Sequence, residues 1–219
     1  PDGSSMKMRD TVWRLRIAAL LAAVSLLCSS CSPAPDYLRI EGATMGTYYR
    51  VTALCPDVDA AHLQDRLEAE LGRVNGQMST YQPDSELMRF NAAPPDEWVA
   101  VSAELLSVLS AAAEISVLSS GAFDVTVAGL VNLWGFGPDG RVSERPSADA
   151  IEAALAEAGY ARLELDAAEQ RIRRRTLLSV DLSAIAKGHG VDRLAERLRG
   201  SDCRDFLVDI GGEVRAEGK

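Results

Sequence analysis

Asp181 and Lys187 are the residues best suited to chemistry in this sequence. They stand in the run Val180-Asp-Leu-Ser-Ala-Ile-Ala-Lys-Gly-His-Gly-Val-Asp192. Its pattern predicts a buried strand, an acidic residue, and then a helix opened by Ser183. A helix start presents free N–H groups and the positive end of a dipole, which suits a pyrophosphate. Ser183 and Lys187 lie four apart, so on one helix they share a face. From there Lys187 has the reach for a phosphate or a ring carbonyl. Gly188 and Gly190 each weaken a helix by about 1 kcal/mol relative to alanine. They point to the close approach of a ligand or of neighbouring backbone. Tight helix–sheet packing with an ordinary N-cap explains the same run equally well.

Four other segments carry candidate contacts. In Gly121-Ala-Phe-Asp-Val-Thr-Val-Ala-Gly-Leu-Val-Asn-Leu-Trp-Gly-Phe-Gly137, Asp124 follows a helix-ending glycine. It can accept from an adenine amine or a ribose, or simply close an Asx-turn, the commoner role of a lone loop aspartate. Trp134 and Phe136 could stack on a ligand, but the reading preferred from sequence is that they plug the core. In Met78-Ser-Thr-Tyr-Gln-Pro-Asp-Ser-Glu-Leu-Met-Arg-Phe-Asn91, Tyr81 precedes a turn and can stack or hydrogen-bond. Thr44-Met-Gly-Thr47 offers Met45 as an adaptable apolar contact. Leu207-Val-Asp-Ile-Gly-Gly-Glu213 offers two glycines able to take positive φ beside a site, and a plain hairpin turn accounts for them too.

These segments need a frame. Tyr37 to Glu41 and Thr47 to Ala53 read as strands. Asp59 to Val74 reads as a helix with apolar Leu63, Leu67, Leu71 and Val74 after an acidic cap. Ser102 caps a helix through Leu118, and Ser147 to Ala158 forms another. Arg162 to Leu165 and Gln170 to Val180 read as strands, Ser183 to Leu198 as a helix, and Phe206 to Asp209 with Glu213 to Ala216 as a hairpin. Adjacent strands look hairpin-like rather than βαβ. The fold class is therefore α+β, with mixed sheets and packed helices in one compact domain.

Net charge is −9, and the first thirty residues carry four basic and two acidic side chains, so the remainder is more acidic still. That excludes the basic footprint of a nucleic-acid binder. The two histidines, His62 and His189, have no zinc spacing, and His62 falls on an amphipathic helix where exposure is expected. There is no Walker A or GxSxG, and Gly188-His-Gly190 lies inside a helix rather than ahead of one. Lys7, Arg9, Arg14 and Arg16 precede an apolar run, Ile17 to Leu27, too short to span a bilayer. It reads as a signal-peptide core. Ser29-Ser-Cys31 resembles a lipobox, with Cys28 where an aliphatic residue is usual. Residues 1–31 are thus expected to be signal peptide and lipobox, with a plain secretory signal cut nearby as the alternative, 32–36 a tether, and 37–219 one folded domain. Beyond the leader only Cys55 and Cys203 remain. An oxidising compartment permits a bond between them, but their separation in sequence is weak support, and they form no CxxC.

Taken in order, five motifs resemble one family. TMGT at Thr44, MSTYQPDSELMRFN at Met78, GAFDVTVAGLVNLWGFG at Gly121, DLSAIAKGHGVD at Asp181 and LVDIGGEVRA at Leu207 resemble the FAD:protein FMN transferases of the ApbE type. They cover nearly all of the chain after the leader. The resemblance implies an ApbE-like domain that binds FAD and transfers FMN to a threonine or serine of another protein, releasing AMP.

The resemblance also implies roles. Met45 and Tyr81 match FAD contacts. Ala122, Phe123 and Asp124 match the segment holding the adenosine side. Asp181 and Lys187 match flavin-nucleotide contacts and are the candidates for a catalytic part. Ala184 matches a magnesium ligand through its backbone oxygen, with Mg²⁺ bridging phosphate oxygens. The remaining ligands, a histidine–proline motif and an Asp-Ala-…-Thr motif are expected beyond Lys219, so the sequence looks cut short. Expected partners are flavin-carrying subunits of membrane redox complexes, with no nucleic acid. The expected location is the periplasmic face of a bacterial inner membrane, anchored by a lipid on Cys31. Two alternatives share the site: hydrolysis of FAD to FMN and AMP, and flavin binding without catalysis.

Overall fold

The computed structural model describes residues 36–138, 140 and 142–218, with Trp13 and Arg16. The rest of the leader, Cys31 included, therefore lies outside the described residues. Contacts divide the chain into Pro1–Asp36 and Tyr37–Lys219, and the second unit holds every strand and helix named below. Among the described residues no helix is long and apolar enough to cross a membrane.

Two hairpins build the larger sheet. Strand β1 (Leu38–Thr44) turns into β2 (Thr47–Leu54), and β6 (Asp205–Ile210) into β7 (Glu213–Glu217). All pairings are antiparallel, in the order β1-β2-β6-β7. Both turns have two residues with positive φ, Met45 and Gly46 in one, Gly211 and Gly212 in the other. Such turns match the right-handed twist of the flanking strands. Tyr49, Val51 and Ala53 stand directly opposite Ile210, Val208 and Phe206 on the buried face. Helices α1 (Ala60–Met78) and α6 (Ala186–Arg199) cover that face through Leu63, Leu67 and Leu71, and through Val191, Leu194, Ala195 and Leu198.

The far end of α1 enters a second core. There Val74 and Met78 meet α2 (Glu86–Ala92) through Leu87 and Phe90, and α3 (Ala103–Leu118) through Leu105 and Leu109. A small antiparallel sheet, β3 (Val99–Ala100), β5 (Arg171–Arg174) and β4 (Leu163–Asp166), adds Ile172. Met45 packs against both cores. Helices α4 (Ala128–Leu133) and α5 (Ala148–Glu157) complete an α+β domain. Helix starts follow the sequence: Asp59, Ser85, Ser102 and Ser147 each accept from a backbone N–H three residues on, worth about 1 kcal/mol apiece. Cys55, just past β2, and Cys203, just before β6, are joined in a disulfide.

Three expectations fail locally. The strand expected to run to Val180 stops at Arg174. The Arg174 side chain turns inward, is buried, and donates to the carbonyls of Leu178 and Ala93, so the chain folds over it instead of continuing the ladder. The helix expected from Ser183 begins at Ala186. Asp181 Oδ1 accepts from the Ser183 N–H at 2.7 Å, and this local turn replaces the first helical turn. Ser183 and Lys187 therefore share no helix. Trp134 and Phe136 do not plug the core: they are 39% and 76% exposed. Helix α4 lies just ahead of these aromatics.

Candidate active site

The turn of the first hairpin and the start of α6 meet at one end of the larger sheet. Met45 lies over Gly190, where an added Cβ would stand 3.0 Å from the methionine methyl and 3.2 Å from Ile210. Gly190 is thus a packing glycine, whereas a Cβ at Gly188 would meet nothing. Asn75 of α1 donates to Thr44 Oγ1 at 3.2 Å and ties the hairpin to the helix. Around this junction opens a cleft of about 270 Å³, lined on one side by Met45, Asn75 and Met78 and on the other by Ser183, Ala186 and Lys187.

Two aromatics close its rim. Tyr81, on the loop between α1 and α2, is 65% exposed. Its hydroxyl donates to the carbonyl of Phe136 at 3.1 Å, linking two loops far apart in sequence. Phe136 also lines the cleft. Two exposed aromatic side chains on one cleft offer surface for a planar heterocycle. Sequence reasoning offered this role for Phe136 but preferred to place it in the core. The available signal was its position between Gly135 and Gly137, which favours a loop over a core strand.

Asp181 sits in the next depression, of about 200 Å³, with Met88, Asn91, Asn132 and Ser179. Thr80 lines both clefts. Asp181 is buried. Its backbone N–H donates to Val125 O at 2.8 Å. Asn91 clasps the preceding residue, donating to Val180 O and accepting from Val180 N, both at 2.9 Å. That clasp fixes the segment presenting Asp181. It was not singled out from sequence, although Asn91 ends one of the five motifs.

Ala122, Phe123 and Asp124 line neither cleft. Ala122 is exposed, and Phe123 packs on the second core. Asp124 accepts from the Thr126 N–H and hydroxyl at 2.8 and 2.7 Å, and from the Tyr160 N–H at 2.9 Å. The Asx-turn role therefore holds in this structure, extended to a second loop. Its neighbour Val125 is the residue bonded to Asp181, so the segment borders the second depression.

The charges near the clefts differ in kind. Lys187 Nζ pairs with Glu213 Oε1 at 3.0 Å, both side chains partly exposed. Glu213 Oε2 and His189 Nε2 are covered and hydrogen-bond to nothing among the described residues. Burial pushes the His189 pKa down and nearby Arg193 adds to this, so the ring is neutral near pH 7. His62 is exposed. Among the described residues no group of three or more His, Cys, Asp or Glu could hold a metal ion. The Ala184 residue is exposed, and no backbone N–H donates to its carbonyl among the described residues. That leaves one hard oxygen available to a cation.

Known proteins resemble this chain over most of its length. Residues 45–219 match the model of the ApbE family. The chain is 39% identical over 208 residues to the FAD:protein FMN transferase of Vibrio cholerae, covering 94% of this chain and 60% of that protein. It is 37% identical to the protein of the same name from Haemophilus influenzae, covering 93% and 61%. Among solved structures, the flavin transferase ApbE of Vibrio cholerae superposes with a TM-score of 0.81 at 40% identity, over 84% of this chain and 60% of that one. The apo flavinyl transferase ApbE of Pseudomonas stutzeri gives 0.80 at 36% identity, over 86% and 63%. The chain thus spans about 60% of the length of the curated relatives it matches. The matched stretch runs from the Met45 turn through Tyr81, Asp181 and Lys187 to the end of the sheet, and on that evidence the chain belongs to the ApbE family.

Proposed function

We propose that the full-length protein is an FAD:protein FMN transferase whose flavin dinucleotide lies across the two clefts that meet at Thr80. One observation carries this reading: Met45, Tyr81, Phe136 and Lys187 surround a single cleft beside the one that holds Asp181. A space of about 270 Å³ takes one planar ring system, not a whole dinucleotide. The ligand must run on, and the adjoining depression gives it a path. Tyr81 and Phe136 offer ring faces, Met45 a deformable floor, and Lys187 a positive charge for the diphosphate. The names of the relatives support the same chemistry.

In the reaction proposed, a serine or threonine oxygen of the acceptor bonds to the phosphorus of the FMN half. The bridging P–O bond breaks, its electron pair leaves on AMP, and the hydroxyl proton is released. Catalysis of such a transfer is chiefly positioning and charge stabilisation. Here the Asn91 clasp and the Asp181–Ser183 turn hold the strand-to-helix junction rigid, and Lys187 supplies the cation. Magnesium belongs to the proposal through the Ala184 carbonyl. The described residues offer that one ligand and do not complete a shell, so no step is assigned to the ion.

The partners and location are proposed on separate grounds. The leader pattern and Ser29-Ser-Cys31 support export and a lipid anchor on Cys31 at the periplasmic face of the inner membrane. The Cys55–Cys203 disulfide supports an oxidising compartment. The acceptors proposed are flavin-carrying subunits of membrane redox complexes. The test is to incubate full-length protein with FAD, Mg²⁺ and an acceptor domain, then to weigh the acceptor. An FMN-sized gain is expected. Free FMN and AMP without that gain, or FAD left intact, would replace transfer with hydrolysis or with binding alone.

A further inference from the structure

The reaction above leaves the Leu207–Glu213 motif unused, and Glu213 is the residue of that motif that pairs with Lys187. It follows the Gly211–Gly212 turn, which is held twice: Gly211 N–H donates to Tyr48 O at 3.1 Å, and Gly212 N–H to Asp209 Oδ1 at 2.9 Å. A Cβ on Gly211 would stand 2.7 Å from the Thr47 side chain, so the glycine lets the two hairpins touch. The outcome is a carboxylate delivered from a rigid turn to Lys187, on the first turn of α6.

Lys187 lines the smaller, nucleotide cleft, while Glu213 lines a different and wider one of about 600 Å³ with Gly188 and His189. The ion pair forms the wall between the two. Among the described residues Lys187 is the only cation on the lining of the smaller cleft, and Glu213 is its ion-pair partner. A lysine ammonium has three donors on a flexible stem. With Glu213 holding it from behind, the remaining donors are left for the nucleotide side.

We infer that Glu213 is a positioning residue: it holds the Lys187 ammonium at the wall of the nucleotide cleft so that the diphosphate meets a cation already in place. This rests on the reading of the smaller cleft as the flavin-dinucleotide site. Removing Glu213 then frees Lys187 and weakens FAD binding by about fivefold, the scale of ordering one long side chain.

A double-mutant cycle on the full-length protein tests this, read by FAD titration with flavin fluorescence in the presence of Mg²⁺. Glu213→Ala is expected to raise the Kd for FAD in the wild-type background and to leave it unchanged in a Lys187→Ala background. A merely structural role would give the same loss in both, so equal losses overturn the inference. So do no loss in either background, or tighter binding by Glu213→Ala, which would make the carboxylate a competitor of the phosphates. Those results leave the proposed function standing, whereas a wild-type protein that takes up no FAD removes that reading and the inference with it. Should Glu213→Ala fold poorly, Glu213→Gln is read in the same cycle by the same criterion.

Discussion

Two charged clusters on α6 show how differently the molecule uses ion pairs. Midway along α1, Glu70 is 3% exposed and is gripped by Arg73 at 2.5 Å, Arg193 at 2.8 Å and Arg197 at 2.7 Å. Burial works to raise its pKa, and the three guanidinium hydrogen bonds outweigh it, holding the carboxyl at about 2. Lys187, at the start of α6, and Glu213 form one partly exposed pair with a carboxylate oxygen left over. In the first cluster both carboxylate oxygens of Glu70 are hydrogen-bonded, and they tie α1 to α6. The second is open on the side of the clefts. Saturated charge fixes the frame, and unsaturated charge remains available to a ligand.

The largest effect should come from the frame. The Cys55–Cys203 bond closes a 148-residue separation, for which chain entropy gives about 5 kcal/mol. The double Cys→Ser variant should lose several kcal/mol in urea unfolding while the folded fraction keeps its FAD affinity. Next, Glu70→Ala removes the carboxylate shared by three arginines, of which Arg73 and Arg193 keep Glu104 and Glu196, and should cost about 2–3 kcal/mol, again with little change in FAD binding. Equal losses of stability and affinity would break the distinction between the two clusters. Acid sharpens it. A carboxylate with a depressed folded pKa stabilises above its unfolded value and loses that contribution as pH falls through the folded one. The share of Glu70 should therefore be full near pH 6 and vanish between about pH 5 and pH 2. A Glu70→Gln variant should show a flatter stability profile across that window.

Smaller effects belong to the clefts. Tyr81→Ala should weaken FAD binding about tenfold, on the scale of one aromatic stack, with the unfolding midpoint nearly unchanged because the ring is exposed. Gly190→Ala presses on Met45 and Ile210 and should cost about 1 kcal/mol in unfolding, with a modest fall in affinity as Met45 shifts.

How much of the fold and of the clefts could be read in the sequence depends on the range of the interactions. Caps at Asp59, Ser102 and Ser147 and the Gly211–Gly212 turn are local chemistry, and the structure has them where the sequence puts them, whereas β1 runs three residues past its expected end at Glu41. The resemblance of five motifs pointed to the family on sequence alone. What escaped was set by partners distant in sequence. Arg174 ended a strand by turning in to the carbonyls of Ala93 and Leu178. Phe136 became a cleft wall because Tyr81, 55 residues earlier, holds its carbonyl. Cys55 and Cys203 gave no spacing signal because their meeting depends on β2 pairing with β6. The start of α6 failed for a different reason. Asp181 offered Ser183 a local hydrogen bond that competes with a helical turn, and propensity cannot rank the two.

The central claim is that the cleft between Met45, Tyr81, Phe136 and Lys187 receives the flavin dinucleotide. Its most direct test is calorimetric titration of FAD into full-length protein and into Phe136→Ala, a residue the sequence preferred in the core and the structure puts on the cleft. The account predicts binding by the wild type and a roughly tenfold weaker Kd for the variant, at equal thermal stability. Identical binding curves for the two proteins would contradict it.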